Sequence, residues 1–217
     1  NHLEGHVASA FLSGEHPEFP FVALVVSGGH TNIYLMRDFQ NFAVLGQTRD
    51  DAAGEAYDKV SKILGLGYPG GPAIDKLAGG GDPAAVDFPR AYLPDSLDFS
   101  FSGLKTAVLN YLKSGPRAPI ENICAGFQQA VLDVLVRKTE WAMKKEGVAR
   151  VTLSGGVAAN SGLRREFSRM AEERGVGVFM PSIRLCTDNA AMIAAAGYHH
   201  YVSRDLAGLD LNPVAYL

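Results

Sequence analysis

The sequence predicts an α/β fold in which a mixed β-sheet carries helices packed against it. Three strand-like runs follow one another between Phe21 and Gln47, and two more, Val151 to Ser154 and Val176 to Met180, alternate with helical stretches. Hydrophobic residues make up 47% of 217 positions, enough for one substantial core. Successive short strands close in sequence pair antiparallel, whereas strands separated by helices pair parallel, so both kinds of pairing are expected in one sheet.

The elements follow in order. His2 and His6 lie four apart, a spacing that places both on one face of a helix. Phe21 to Val26 is an apolar run, Ser27-Gly28-Gly29-His30 a turn, Thr31 to Met36 an alternating strand, and Phe42 to Gln47 a third strand. From Asp51 to Leu64, Ala53, Ala56, Tyr57, Val60, Ile63 and Leu64 recur at helical spacing, with Asp51, Glu55 and Asp58 on the other face. Gly67 to Pro72 is expected to be a tight loop, because proline fixes φ and glycine frees it. Residues 79 to 102 read as an irregular insert. Helices follow near 103 to 114 and 120 to 146, the second with Ile123, Phe127, Val131, Val134, Leu135, Trp141 and Ala142 as its core stripe. Asn160 should cap a helix reaching about Glu173, and a last helix should span about Thr187 to Val202. This order is that of a ribonuclease-H-like, actin/Hsp70-type lobe, and neither an internal repeat nor a second domain boundary interrupts residues 1–217.

Composition excludes several classes. No apolar run is long enough to cross a membrane and the start lacks a signal-peptide pattern, so a cytoplasmic protein without membrane contact is expected. Cys124 and Cys186 are too few for a disulfide framework or a cysteine-based zinc site. A net charge of −3 argues against nucleic-acid binding through global positive charge. Arg137, Lys138, Lys144, Lys145, Arg164, Arg165, Arg169 and Arg174 gather on two predicted helices and read as their solvated faces. The first residue is Asn1, which suggests a fragment or a processed chain.

Two sets of residues carry chemistry. The His2/His6 pair can bind one metal ion, and if Asp188 folds back to join it, two imidazoles and one carboxylate leave positions open for substrate on Fe(II) or Zn(II). Glu4 is not placed as a zinc-protease base: two residues on from His2, it points about 200° round the helix. Ser27-Gly28-Gly29 and Ser154-Gly155-Gly156 each follow a strand and lack bulky side chains, so their N–H groups can approach a phosphate. Neither matches a Walker or dinucleotide fingerprint. Asp58 and Asn160 could hold a nucleotide's ribose or base; the alternatives are a solvated helix residue for Asp58, a cap for Asn160 and a polar residue at a short helix start for Asp75.

Seven segments in order, HLEGH, VSGGHT, DDAAGEAYDK, YPGGP, DFSFSGLKT, SGGVAAN and CTDNAAMIA, closely resemble the tRNA N6-adenosine threonylcarbamoyltransferase (TsaD) family over the whole chain. The resemblance implies transfer of a threonylcarbamoyl group from threonylcarbamoyl-AMP to N6 of the adenosine beside the anticodon, in tRNAs reading codons that begin with A. It implies His2, His6 and Asp188 as ligands of one divalent metal, Fe(II) or alternatively Zn(II). Val25, Val26, Ser27, Gly28, Gly29, Asp58, Gly71, Asp75 and Asn160 would bind the adenylate. Catalytic residues proper are not specified. A paralogous TsaB-type subunit and a TsaE-type ATPase would be partners.

The family also has an N-terminal lobe before the metal helix, which this chain lacks, so the chain should be a C-terminal lobe that alone is inactive and binds adenylates weakly. Two alternatives are a nucleotide-binding ATPase lobe of actin-like or sugar-kinase-like type, which has no use for the histidine pair and Asp188, and a noncatalytic assembly lobe.

Overall fold

A computed structural model describes residues 1–115 and 117–212. One five-stranded sheet has the order β3 (Phe42–Gln47), β2 (Thr31–Met36), β1 (Phe21–Val26), β4 (Arg150–Ser154), β5 (Gly177–Phe179). The pair β1/β2 and the pair β2/β3 are antiparallel, while β1/β4 and β4/β5 are parallel, as expected of a meander joined to α/β units. The central strand β1 is buried along its whole length, which explains its unbroken FVALVV run. Strand β3 forms the edge and alternates over its first four residues, with Phe42 and Val44 exposed and Gly46 buried further on.

Among the described residues, seven α-helices accompany the sheet: α1 (His2–Ser9), α2 (Ala53–Leu64), α3 (Gly70–Ala78), α4 (Ser102–Lys113), α5 (Ile120–Glu146), α6 (Ser161–Arg174) and α7 (Ala190–Val202). One face of the sheet packs through Val22, Leu24, Val26 and Ile33 onto α2 and α5, forming the main core with Tyr57, Phe127 and Val131. The opposite face packs Phe21, Ala23, Val25 and Tyr34 against Val7 of α1. The helix α7 lies on α1, where Glu4 meets Nε2 of His200 at 2.7 Å. Glu4 thus faces a neighbouring helix, away from His6. Among the described residues, no helix is long and apolar enough to cross a membrane.

Three local expectations need correction. The predicted loop Gly67 to Pro72 is half helix: α3 starts at Gly70, with Pro72 in the first turn, where a missing N–H breaks no intrahelical bond. Trp141 lies outside the core stripe and is 37% exposed, whereas the polar neighbours Lys138 and Thr139 are buried. The last helix begins at Ala190, because Asn189 caps it by accepting from the N–H of Met192 at 2.9 Å.

The irregular stretch before α4 is fixed by side chains. Phe99 and Phe101 enter the core, and Asp98 accepts from the N–H of Gln47 at 3.0 Å. The Asp50 carboxylate accepts from the N–H of Phe101 at 2.8 Å and of Ser102 at 3.2 Å, and from both serine hydroxyls at 100 and 102. Partial burial opposes its ionisation, but these donors outweigh burial and hold the Asp50 pKa below the usual value. The DFSFSG segment is therefore a structural clamp that starts α4 from the β3–α2 link.

Candidate active site

Strands β1 and β4 run parallel and finish side by side, so their two glycine turns meet. Gly155 has φ +91°, and a Cβ there would come within 2.3 Å of the Val26 carbonyl oxygen. A Cβ on Gly54, in the first turn of α2, would come within 2.5 Å of the Ser27 carbonyl oxygen. The α2 terminus is held in that position because the hydroxyl oxygen of Thr31 on β2 accepts from the N–H of Ala53 at 2.9 Å. Backbone thus packs on backbone at the carboxyl ends of the strands, and the helix N-terminus of α2 faces the same space.

That space is a cleft of about 740 Å³. Of the binding residues expected from sequence, Ser27, Gly28, Asp58, Gly71, Asp75 and Asn160 line it, and His6 and Asp188 of the metal set reach its edge. Val25 and Val26 are fully buried, and Gly29 and His2 stand outside the cleft wall. Residues from the turn after β1, from α1, α2 and α3, from the cap of α6 and from the segment before α7 are thereby gathered at the carboxyl ends of the central strands.

The polar side chains are locked by one another. Asp58 Oδ1 accepts from the N–H of Gly70 at 2.7 Å, fixing the start of α3 against α2. Asp75 accepts from the Ser161 N–H at 2.9 Å, the Ser161 hydroxyl at 3.0 Å and the Gln128 amide at 3.0 Å. Asn160 caps α6 through the N–H of Leu163 at 2.8 Å and donates to Gln128 Oε1 at 2.8 Å, which also accepts from the Tyr57 hydroxyl at 3.3 Å. Asn160 is therefore both a cap and a cleft residue. Tyr57 is buried, and this burial, reinforced by the nearby Asp75 charge, raises its pKa far above the ordinary range, so it stays a hydroxyl.

Gln128 is the residue the sequence reading missed. Its signal was a polar amide among Phe127, Ala130 and Val131 on a core helix, and a buried polar residue is the informative kind.

At the metal end, His6 Nε2 stands 3.1 Å from Asp188 Oδ1. Two donors bound to one ion at about 2.1 Å each, at angles of about 90–110°, would stand about 3.0–3.4 Å apart, so this pair is spaced as co-ligands. The His2 and His6 ring centroids lie 6.0 Å apart. Imidazoles on a common ion would place their centroids about 4.5–5.3 Å apart by the same bond lengths, so the exposed His2 ring must swing inward by about an ångström. Consistent with that, no three His, Cys, Asp or Glu side chains converge as a finished metal site among the described residues.

Burial, and then the neighbouring imidazoles His2 and His30, outweigh Asp188 and hold the His6 pKa below its ordinary value, keeping it neutral and able to donate a lone pair. His6 Nδ1 is buried without a hydrogen-bond partner among the described residues. His30 brings a third imidazole, its ring 4.9 Å from His2, and the backbone N–H of His30 donates to the Ser27 hydroxyl at 3.1 Å. The donor set fits a divalent metal, although His2 is not yet in place.

The family model for "tRNA N6-adenosine threonylcarbamoyltransferase" (TsaD) matches residues 1–195, a span that holds all seven segments quoted above. The chain belongs to this family. A threonylcarbamoyltransferase of Thermodesulfovibrio yellowstonii is 52% identical over 224 residues, covering 100% of this chain and 67% of the relative. One from Geotalea uraniireducens is 54% identical, covering 98% of this chain and 63% of the relative. The chain thus spans about two thirds of the length of these threonylcarbamoyltransferases.

Among solved structures, full-length HypF in its phosphate- and nucleotide-bound form superimposes with a TM-score of 0.72 at 15% identity, over 93% of this chain and 35% of that one. The activator of 2-hydroxyisocaproyl-CoA dehydratase from Clostridium difficile, with bound ADPNP, gives 0.50 at 19% identity, over 96% and 70%. At these identities the likeness is one of fold, and it agrees with the actin-like lobe expected from element order.

Proposed function

We propose that the chain is the C-terminal lobe of an enzyme that transfers a threonylcarbamoyl group from threonylcarbamoyl-AMP to N6 of the adenosine beside the anticodon, in tRNAs reading codons that begin with A. The observation that carries this reading is the cleft, where Ser27, Gly28, Asp58, Gly71, Asp75 and Asn160 meet His6 and Asp188. The adenylate's phosphate would lie against the Gly28 N–H, in the field of the α2 N-terminus. Asp58, whose second carboxylate oxygen carries no protein donor, would accept from the ribose hydroxyls. The Gln128 network holds Asn160 and Asp75 rigid, so the bound nucleotide meets a pre-ordered wall.

His2, His6 and Asp188 would hold one divalent ion, Fe(II) or Zn(II), beyond the phosphate. When bound, the ion supplies Lewis-acid polarisation of the carbamoyl carbonyl. In the transfer, the new bond joins adenosine N6 to the carbonyl carbon, the carbon–oxygen bond to the phosphate breaks, AMP leaves, and N6 gives up a proton. The cleft residues position the donor for this displacement.

A TsaB-type subunit and a TsaE-type ATPase would act with the full-length enzyme. Calorimetric titration of the chain with AMP tests the reading: weak saturable binding, abolished by Asp58→Ala, is expected. Equal binding by wild type and Asp58→Ala would overturn it, and efficient threonylcarbamoylation by this chain alone would overturn its being an incomplete lobe.

A further inference from the structure

The eight basic residues of the two helix faces do not share one fate. Lys138 is buried and donates to the carbonyls of Leu93, at 3.1 Å, and Ser96, and burial lowers its pKa. Arg164 donates to the carbonyls of Ala158, at 3.0 Å, and Pro181. Arg165 bonds the Ser161 hydroxyl, and Arg169 is engaged by Glu166 and Glu173. Lys145 lies on the α5 surface. Arg137, Lys144 and Arg174 remain, and all three line one groove of about 590 Å³ with Trp141 in its wall.

Trp141 is 37% exposed and also borders a second hollow of about 320 Å³, shared with Arg137 and Tyr92. Arg137 lies over the Tyr92 ring at 4.4 Å, and Lys138 lies 5.4 Å from the Trp141 centroid. Neither Arg137 nor Lys144 has a carboxylate within 4 Å among the described residues, whereas Arg174 is shared with Glu140 at 3.5 Å. Lys144 and Arg174 sit in the last turns of α5 and α6 and partly offset those helix ends. Arg137 sits more than two turns before the end of α5, beyond that field, and lines both hollows with its guanidinium over Tyr92.

We infer that this groove is a second nucleic-acid contact, in which an RNA base stacks on Trp141 while Arg137 and Lys144 hold the adjoining phosphates. An aromatic face flanked by cations is the combination that takes single-stranded nucleotides without sequence readout. In a chain of net charge −3 it is a local exception, and its charge complements RNA. The groove meets the chain at Gly147 to Ala149, before β4, and the cleft meets it at Gly156, after β4. The two sites therefore lie at opposite ends of β4, a strand of five residues about 17 Å long, so a tRNA that reaches both must pass around this end of the sheet. The inference rests on tRNA being the substrate of the full enzyme.

Trp141 is the one tryptophan of the chain, so its fluorescence reads this site alone. Titration with unmodified tRNA should quench it, with an apparent Kd that weakens steeply with salt. The double change Arg137→Glu, Lys144→Glu should weaken binding at least tenfold. Trp141→Leu, followed by anisotropy of labelled tRNA, should weaken it roughly five- to hundredfold, while Trp141→Phe retains most of the affinity.

Unchanged affinity in Trp141→Leu would overturn the inference, as would equal quenching by polyglutamate, which would mark plain polyanion attraction. So would quenching by an acidic amphipathic peptide in place of tRNA, which would mark a protein-docking groove. AMP titration reads the cleft separately: failure there with retained tRNA quenching rejects the cleft reading alone, and the converse rejects this one.

Discussion

Replacing Gln128 with leucine tests whether the cleft wall is held by its buried amide. The change keeps volume close to constant and removes three bonds: from the Tyr57 hydroxyl at 3.3 Å, from Asn160 Nδ2 at 2.8 Å, and to Asp75 Oδ1 at 3.0 Å. Tyr57 is buried and loses its partner outright, costing about 1–3 kcal/mol for a stranded donor. Asn160 and Asp75 border the cleft and can turn to water, so their share is about 0.5–1.5 kcal/mol together. The sum is about 1.5–4.5 kcal/mol, which for a chain of this size lowers Tm by about 3–18 °C.

Urea unfolding measures the change directly, and AMP affinity should fall with it although Gln128 does not line the cleft. The decisive variant is Tyr57→Phe combined with Gln128→Leu, which removes both partners and so relieves the stranded hydroxyl. It should recover about 1 kcal/mol or more over Gln128→Leu alone. A double variant as unstable as the single one, or a single variant within about 0.5 kcal/mol of wild type, would refute the network as the source of rigidity.

Further outcomes follow from other contacts. Asp188→Ala should reduce the bound metal, read by elemental analysis, because it removes the carboxylate 3.1 Å from His6; a variant with full metal content would remove Asp188 from the ligand set. Gly54→Ala places a methyl 2.5 Å from the Ser27 carbonyl, so α2 or the turn must shift, and a stability loss of about 1–3 kcal/mol with weaker AMP binding is expected. His200 sits between Glu4 and Asp205, each at 2.7 Å, and these bonds raise its pKa above the ordinary value. A raised histidine pKa contributes stability that is complete below the unfolded value, near 6.5, and fades as pH rises through the folded one. The Tm difference between wild type and His200→Gln should therefore be largest in mild acid and shrink toward alkaline pH; a difference that grows with pH would exclude the pairing.

Much of the fold was legible because its elements are periodic and well punctuated. The buried run Phe21 to Val26, the third strand Phe42 to Gln47 and the Asn160 cap each carry a local cause, and each element formed as expected. The misreadings share another origin. At Gly70 to Pro72, local rules count two glycines and a proline as breakers, but the Asp58 carboxylate supplies an acceptor for the first N–H and the helix starts there. Trp141 fitted an apolar stripe, yet the long helix α5 turns its last third toward a solvent groove while Lys138 goes inside to bind carbonyls of the insert. Both outcomes depend on partners far away in sequence, which periodicity cannot register. Gln128 and His30 were passed over for the same reason, since their importance lies in what they meet.

The two glycine turns show how far separate motifs can be one device. Read alone, each is a turn after a strand. In the fold, β1 and β4 are parallel neighbours, so Val26 and Ser154 end at one level and Gly155 rests on the Val26 carbonyl with no room for a side chain. Gly54 closes the third side against Ser27. A methyl at either glycine would push apart the two strand ends that set the cleft's floor, and with them α2, which carries Asp58. Asp58 is thus placed by backbone contacts, whereas His6 is placed by the packing of Val7 of α1 on the sheet. Variants at Gly155 and Gly54 should accordingly impair nucleotide binding together with stability, whereas His6→Ala, which leaves those backbone contacts intact, should remove metal and leave AMP affinity within about threefold of wild type. Loss of AMP binding in His6→Ala comparable to that in Gly155→Ala would show that the two ends of the site are not built on separate supports.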